Sequence, residues 1–318
     1  MKGFNLGTLF HAAQIQWRQN GHVPASFVQR LKALTPTDMW QVCRNTGTQS
    51  NMMLLDRPGY NNPQLSQQLT NQRIPQPNIS YWTPFVQFYR DGGFQGAAIT
   101  VNSHNSYINQ RTDFERIKTD VLDLIAFLIR SNVNIVSIEL ENEGYLYPSI
   151  TVISNGSPNL WERMRHGNNI ERIILDSCLR WQEHLKNVAN AIRNEMKVPI
   201  GVSVGNPTTM RDRNYNQAVL QDQYYDFVAP HIYVTSSTSE GIAEAVRQHI
   251  TPLPTQIPKR VTEFNWNYNA RPEGHTVSNE TFLGYFEQAF KMYGVNDYFY
   301  HTLWNRQDAN GWAQNLRT

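Results

Sequence analysis

Two glutamates each close a short apolar run. Glu143 stands in "IVSIELENEGYLYP" and Glu263 in "KRVTEFNWN". Two carboxyl groups facing one another across a cleft can divide acid–base work between them. One, kept protonated by burial and a negative neighbour, gives its proton to a leaving oxygen. The other, kept ionised by a nearby arginine or tyrosine hydroxyl, attacks carbon. A separation of about 5–5.5 Å suits direct attack, whereas about 6.5–9.5 Å leaves room for a water.

Glu143 does not come alone, because Glu139 and Glu141 precede it at alternate positions. Strand alternation puts all three on one face unless the strand bulges at its end. Glu139 then lies deepest and should meet Arg44 or another buried polar group. Glu141 should support Glu143, its charge helping to keep that carboxyl protonated. As isolated residues, Glu143 and Glu263 would serve equally well as structural ion-pair partners. The expectation rests on both standing at strand ends.

Such a pair needs a frame that brings two distant strand ends together. Apolar, β-branched runs alternate along the chain with longer amphipathic segments. Strands are expected at Phe4–Phe10, Met39–Arg44, Ala97–Asn102, Ile135–Leu140, Ile200–Val204, Phe227–Tyr233, Arg260–Asn265 and Tyr298–Leu303. Helices are expected at Ala25–Leu34, Thr83–Arg90, Asp113–Arg130, Asn169–Met196, Glu240–Ile250 and Asn279–Tyr293. A further short one is expected near Leu65–Leu69. The spacing of Val121, Leu124 and Leu128, and of Ile174, Cys178, Trp181 and Leu185, is helical. The strand runs are continuous rather than alternating, as in parallel strands covered on both faces. No glycine-rich phosphate loop follows the first run, which argues against a doubly wound nucleotide-binding sheet. An α/β fold of the (β/α)8 TIM-barrel type is therefore expected. It forms a single domain over residues 1–318 with a long loop at 45–80 and no accessory β-sandwich. Only a short tail follows the eighth run, so its closing helix should be short or missing.

Barrel active sites lie at the C-terminal strand ends. The polar residues there are Arg44, Asn45 and Thr48, then Asn102, His104 and Asn105, then Glu141, Asn142, Glu143 and Tyr145. Later strands add His231 and Tyr233, Glu263, and His301 and Trp304. The fourth and seventh strands face each other across an eight-stranded mouth, which places Glu143 opposite Glu263. Trp266 and Tyr268, just past Glu263, either make a sugar platform or cover the rim.

These residues resemble those of clan A retaining glycoside hydrolases. The "NE" ending the fourth strand and the "TE" ending the seventh match that clan's signature. "LKALTPTDMWQVCRNTGTQSN", "YYDFVAPHIY" and "KRVTEFNWN" resemble segments of its xylosidase/iduronidase, arabinofuranosidase and heparanase-like branches. The resemblance implies a retaining O-glycoside hydrolase acting on an oligosaccharide or polysaccharide through a covalent glycosyl-enzyme. It implies Glu143 as acid/base and Glu263 as nucleophile. Asn142 would bond the sugar 2-hydroxyl, Tyr233 would touch the nucleophile, and His231 would line the same subsite. Trp304 would floor the sugar and Arg44 would support the nucleophile's charge. Asn102, Tyr145 and Trp266 complete the expected substrate contacts. The family's Gly-Gly is here Thr46-Gly47, and aligning Gly47 puts Cys43, not Arg44, at the family's arginine position. The added β-sandwich common in those branches has no counterpart.

Composition narrows the partners. Net charge is +2 with 17% charged residues, and no basic run or stripe points to nucleic acid. No apolar stretch reaches membrane-spanning length. The two cysteines, Cys43 and Cys178, form no metal or disulfide pattern. No cofactor and no metal are expected. The start of the chain makes a poor signal peptide, so the compartment stays open. Two rivals remain. One is a carbohydrate-binding barrel, of a virion or cell surface, that has lost catalysis. The other is a metal-dependent hydrolase using His231, His301 and Glu263, which lacks the usual His pair on its first strand.

Overall fold

In a computed structural model, eight parallel strands close into a barrel in sequence order. The structure describes residues 1–7, 23–46, 82–102, 114–154, 157–267, 277–304 and 312. The strands are β1 (Lys2–Gly7), β2 (Val42–Thr46), β3 (Gly96–Val101), β4 (Ile135–Leu140), β5 (Ile200–Val204), β6 (Phe227–Val234), β7 (Arg260–Trp266) and β8 (Asp297–Trp304). Among the described residues seven longer helices lie between them: α1 (Ala25–Leu34), α2 (Thr83–Gly92), α3 (Phe114–Arg130), α4 (Ile170–Glu195), α5 (Met210–Val219), α6 (Ser239–Ile250) and α7 (Asn279–Met292). The expected (β/α)8 barrel is the observed one. β1 pairs with both β8 and β2, which closes the ring.

Helix starts follow from capping chemistry. Asn169, Thr209, Thr238 and Ser278 each accept a hydrogen bond from a first-turn backbone N–H of α4, α5, α6 and α7. The apolar faces then pack on the barrel wall. Along α4 the buried stripe runs through Ile174, Cys178, Trp181, Leu185, Val188 and Ile192. Strand residues pointing outward, such as Ile99, Ile138, Val202, Ile232 and Phe264, meet these helices in one continuous core. Val42, Ala98 and Phe299 form a small separate cluster with Met1 and Val136.

Two expectations are corrected. Met39 does not begin the second strand. Thr37–Trp40 is a 3-10 turn with Met39 and Trp40 buried, and Trp40 Nε1 donates to Thr35 Oγ1 at 2.8 Å. The strand starts at Val42 and runs on through Asn45 and Thr46. Between β5 and β6 the sequence reading placed no helix, yet α5 is there. Its buried side includes Asp212, Asn214 and Asn216. A helix that turns polar side chains inward leaves little apolar periodicity to read.

Several expectations lie outside the described residues. They are residues 8–10 of the first strand, the loop at 47–80 with its short helix, Asp113, and residues 305–311 and 313–318. Trp312 is described and packs edge-on against Phe4 and Tyr300, at 5.9 and 5.2 Å between centroids. No described helix is long and apolar enough to cross a membrane.

Candidate active site

Strand alternation selects which side chains enter the barrel. On β2, Cys43 turns outward into the helix-facing core and Arg44 turns inward, fully buried. The arginine therefore sits where the aligned glycine argued it should not. On β6, Ile232 and Val234 face the helices while His231 and Tyr233 face the mouth. β7 carries an irregularity, since Tyr298 and Tyr300 on β8, two apart, pair with Val261 and Phe264, three apart. That extra residue lets Val261 and Phe264 both face outward while Glu263 points in.

Glu263 is closely held. Asn5 Nδ2 and Arg44 Nη1 both donate to its Oε1, at 2.9 and 2.8 Å. Tyr233 Oη donates to its Oε2 at 2.5 Å. His231 Nδ1 lies 3.4 Å from Oε2. The Tyr233 hydroxyl also meets His301 Nδ1 at 3.1 Å. Because its one hydrogen goes to Glu263, the ring nitrogen is assigned as the donor there. Burial opposes the charge on Glu263, yet His231, His301 and Arg44, with the Tyr233 bond, hold the carboxyl far below the usual carboxylate range.

Arg44 joins the two halves of the site. Besides Glu263, it donates through Nε to Glu139 at 3.1 Å and through Nη2 to Asn142 Oδ1 at 3.1 Å. Glu139 thus takes the deep position anticipated for it. His231 Nε2 lies 3.8 Å from the same carboxylate.

β4 ends differently. Glu141 and Glu143 both adopt left-handed backbone, with φ of 64° and 51°. These two residues break the strand alternation. Glu141 is buried and acts electrostatically on His184 of α4 and Tyr215 of α5, away from the mouth. Glu143 turns back into the mouth and accepts from Tyr145 Oη at 3.1 Å. His231 Nδ1 lies 3.5 Å away. The turn is fixed from outside. Asn102 Oδ1 accepts from Asn142 N at 2.7 Å, and Ser203 Oγ accepts from Gly144 N at 3.1 Å. A Cβ on residue 144 would stand 2.6 Å from Tyr215 Oη, so glycine is needed there.

One carboxylate oxygen from each of Glu143 and Glu263, and one ring nitrogen of His231, lie within 4.8 Å of one another. The charges within this cluster decide its state. Burial alone would lower the proton affinity of His231, but Glu263, Glu139 and Glu143 outweigh it and raise its pKa to about 10. A protonated imidazole repels a cation and has no lone pair to offer, which disfavours a metal at these three residues. Burial and Glu263 both raise Glu143, yet its bond to His231 and the hydroxyl of Tyr145 outweigh them and leave it below its ordinary value. The expected raised proton affinity of Glu143 is thus reversed by His231. Burial, reinforced by the two carboxylates, pushes the Tyr145 and Tyr233 phenols well up, so both remain donors.

The structure therefore brings Glu143, Glu263, Asn142, His231, Tyr233, Arg44 and Tyr145 to one mouth. Asn102 lies beneath, tied to the backbone of Asn142. Trp266 does not join them. It is buried outside the barrel, stacked on Phe282 of α7 at 4.2 Å. Alternation after Glu263 sends Phe264 and Trp266 outward and Asn265 inward. Trp304 ends β8 opposite Gly7, and its side chain lies outside the described atoms. His104, Asn105, Thr48 and Tyr268 also lie outside the described residues. Asn5 was missed, although a lone amide inside the apolar run "GFNLG" is the kind of signal that marks an inward polar position.

No family model and no curated protein matches the chain by sequence. Comparison of folds does find likenesses. A fungal β-1,4-galactanase superposes with a TM-score of 0.53 at 11% identity, over 94% of this chain and 88% of that one. SghA, a virulence factor of Agrobacterium tumefaciens, gives 0.51 at 12% identity over 91% and 78%. The family 1 β-glucosidase of Thermotoga maritima gives 0.50 at 10% identity over 91% and 79%. Neither the galactanase nor the β-glucosidase is a xylosidase, iduronidase, arabinofuranosidase or heparanase. At such identities the likeness is one of fold, and the fold shared is the (β/α)8 barrel.

Proposed function

We propose that the chain is a retaining O-glycoside hydrolase with Glu143 as acid/base and Glu263 as nucleophile. One observation carries this reading: carboxylate oxygens of the two residues lie within 4.8 Å of each other at the mouth of a barrel. That closeness favours the roughly 5–5.5 Å spacing of direct attack over the roughly 6.5–9.5 Å spacing of the water-mediated reaction. Glu263 is ionised and oriented by Asn5, Arg44 and Tyr233, as a nucleophile must be. Glu143 is the more accessible of the two, its side chain 31% exposed against 7% for Glu263. An acid that meets the leaving group and later a water needs that access.

In the first step Glu263 attacks the anomeric carbon while Glu143 gives a proton to the departing oxygen. In the second, Glu143 takes a proton from water, and that water displaces Glu263. Asn142 is oriented by Arg44 and Asn102 at the same edge, where it would bond the sugar 2-hydroxyl. The fold relatives whose names specify a galactan or a glucoside support a carbohydrate as the substrate class.

A second reading has its own observation. His231 holds Glu143 below its ordinary proton affinity, which suits a barrel that binds glycans without cleaving them. The deciding experiment uses aryl glycosides with the wild type, Glu143→Ala and Glu263→Ala. A retaining enzyme loses turnover in both variants. Azide restores it in each, giving a glycosyl azide of retained configuration with Glu143→Ala and of inverted configuration with Glu263→Ala. Equal activity in all three proteins, or binding without any release of reducing ends by the wild type, rejects the catalytic reading.

A further inference from the structure

The connection between β4 and α4 contains a short helix, Leu160–His166, whose amphipathicity is inverted. Its large apolar residues face solvent: Leu160 is 62% exposed, Trp161 72% and Met164 71%. Its buried side instead presents Glu162, which is 5% exposed, with His166 one turn further on. A seven-residue helix has little stability of its own, and this one buries few apolar groups. What attaches it to α4 is polar.

The attachment consists of Glu162 and His166 from the short helix and Asp176 and Arg180 from α4. Arg180 Nη2 donates to Glu162 Oε1 at 2.9 Å, and Nη1 donates to Asp176 Oδ2. His166 Nε2 lies 3.5 Å from that same Asp176 oxygen. Two buried polar atoms in this cluster have no hydrogen-bond partner among the described residues: Glu162 Oε2 and His166 Nε2. Leaving a carboxylate oxygen and an imidazole nitrogen buried and unbonded is costly, and such orphans mark places where an ion or water belongs. Ligand atoms of Glu162, His166 and Asp176 lie within 4.8 Å of one another.

We propose that Glu162, His166 and Asp176 bind a divalent transition-metal ion of the zinc class, which fastens the short helix to α4. Two carboxylates and a neutral imidazole are a common donor set for such ions, with water in the fourth position. The spacing of Glu162 and His166, four residues apart on a helix, puts both on one face. Small rotamer changes would bring the three ligand atoms to the roughly 3.3 Å mutual spacing of a tetrahedral ion with bonds of about 2.0–2.1 Å. Arg180 holds Glu162 by its other oxygen, Oε1, and so orients the carboxylate from behind, as outer-shell partners do. The ion answers both orphaned atoms at once. This site is separate from the carboxylate pair at the mouth, and it does not depend on the catalytic reading.

The test uses tag-free, full-length protein and zinc ion as the probe. Protein equilibrated with zinc and then desalted is assayed for metal content, and thermal unfolding is followed with zinc and with EDTA. One retained equivalent per chain is expected, with an unfolding midpoint raised by zinc and lowered again by EDTA. His166→Ala and Asp176→Asn should each retain at least tenfold less metal and lose the zinc-dependent shift. Glu263→Gln, altered at the mouth, should retain its equivalent. No retained zinc in the wild type overturns the proposal. So does unchanged retention in both His166→Ala and Asp176→Asn, or loss of retention in Glu263→Gln alone, which would put the ion at the mouth.

Discussion

The strand ends carrying the paired carboxylates are built in opposite ways. Glu263 sits within β7 itself, buried, with hydrogen bonds from Asn5, Arg44 and Tyr233 fixing both its oxygens. Glu143 sits in a left-handed turn beyond β4, more exposed, with one hydroxyl bond from Tyr145 and a histidine at 3.5 Å. At one end the neighbours fix the charge and position of the carboxylate. At the other, the backbone fixes the position and leaves the side chain able to exchange a proton. Left-handed conformations at non-glycine residues cost about 1–3 kcal/mol each. Two of them in three residues must therefore be maintained by surrounding contacts, and Asn102, Ser203 and Tyr215 provide these.

Removing the group that serves both ends should have the largest effect. Arg44→Met leaves Glu139 and Glu263 buried without their cation. Breaking a buried ion pair from one side costs about 3–5 kcal/mol. Urea unfolding should show a destabilisation of that order, and activity on aryl glycosides should be lost. A variant as stable as the wild type would mean that Arg44 does not sustain the charge of Glu263.

Gly144→Ala acts on the turn alone. The added Cβ meets Tyr215 Oη at 2.6 Å and must push the turn toward the mouth. Misplacement by about 1 Å can cost about a hundredfold in rate. The loss should fall on kcat for substrates with poor leaving groups, which need the acid. Substrates with activated aryl leaving groups should be less affected. Pairing Gly144→Ala with Tyr215→Phe, which removes the oxygen that the new Cβ strikes, should recover part of the rate. Equal losses on both substrate types would break the contrast between the two ends.

The same contrast explains what the sequence could disclose. β7 was legible because its end alternates, with Phe264 and Trp266 outward and Asn265 inward, the extra residue coming before Glu263. The "TE" motif lay in a β-branched run, and Glu263 entered the barrel as expected. At β4 alternation fails, because Glu141 and Glu143 both adopt left-handed backbone. Strand periodicity assigned all three glutamates to one face; Glu139 took its deep position and Glu143 its place at the mouth, the latter through a backbone turn rather than through alternation. The direction of Arg44 followed from alternation on β2 once the strand was known to begin at Val42. Aligning glycines across a loop gave the wrong register. Trp266 was misplaced by its chemistry, since aromatic residues near a sugar site suggest a platform, while alternation sends this one outward to Phe282. The proton balance of Glu143 was beyond the sequence, because it depends on His231 reaching three carboxylates at once.

His231 couples the two ends, and its removal should shift the pH profile. With both carboxylates held below their ordinary values, the profile lies at low pH. The acidic limb reports protonation of Glu263, and the alkaline limb reports loss of the proton from Glu143. His231→Gln removes a positive charge 3.4 Å from one carboxylate and 3.5 Å from the other. Both proton affinities should rise, so both limbs of kcat/KM against pH should move upward. A lower rate with an unmoved profile would mean that His231 only shapes the pocket.

The smallest effect is expected at Tyr145, the one hydroxyl bonded to Glu143 among the described residues. Tyr145→Phe removes a bond to a charged acceptor that keeps 31% of its side chain in solvent. Such bonds contribute about 1.5–3 kcal/mol when buried and less when water can replace the donor. The rate at the optimum should therefore fall less than about tenfold. Without its donor, Glu143 should bind its proton more tightly, so the alkaline limb should move up while the acidic limb, set at Glu263, stays in place. That one-sided shift distinguishes Tyr145 from His231, which moves both limbs. If Tyr145→Phe instead shifts the acidic limb, the two carboxylates titrate as one unit and the assignment of separate roles to the two strand ends fails.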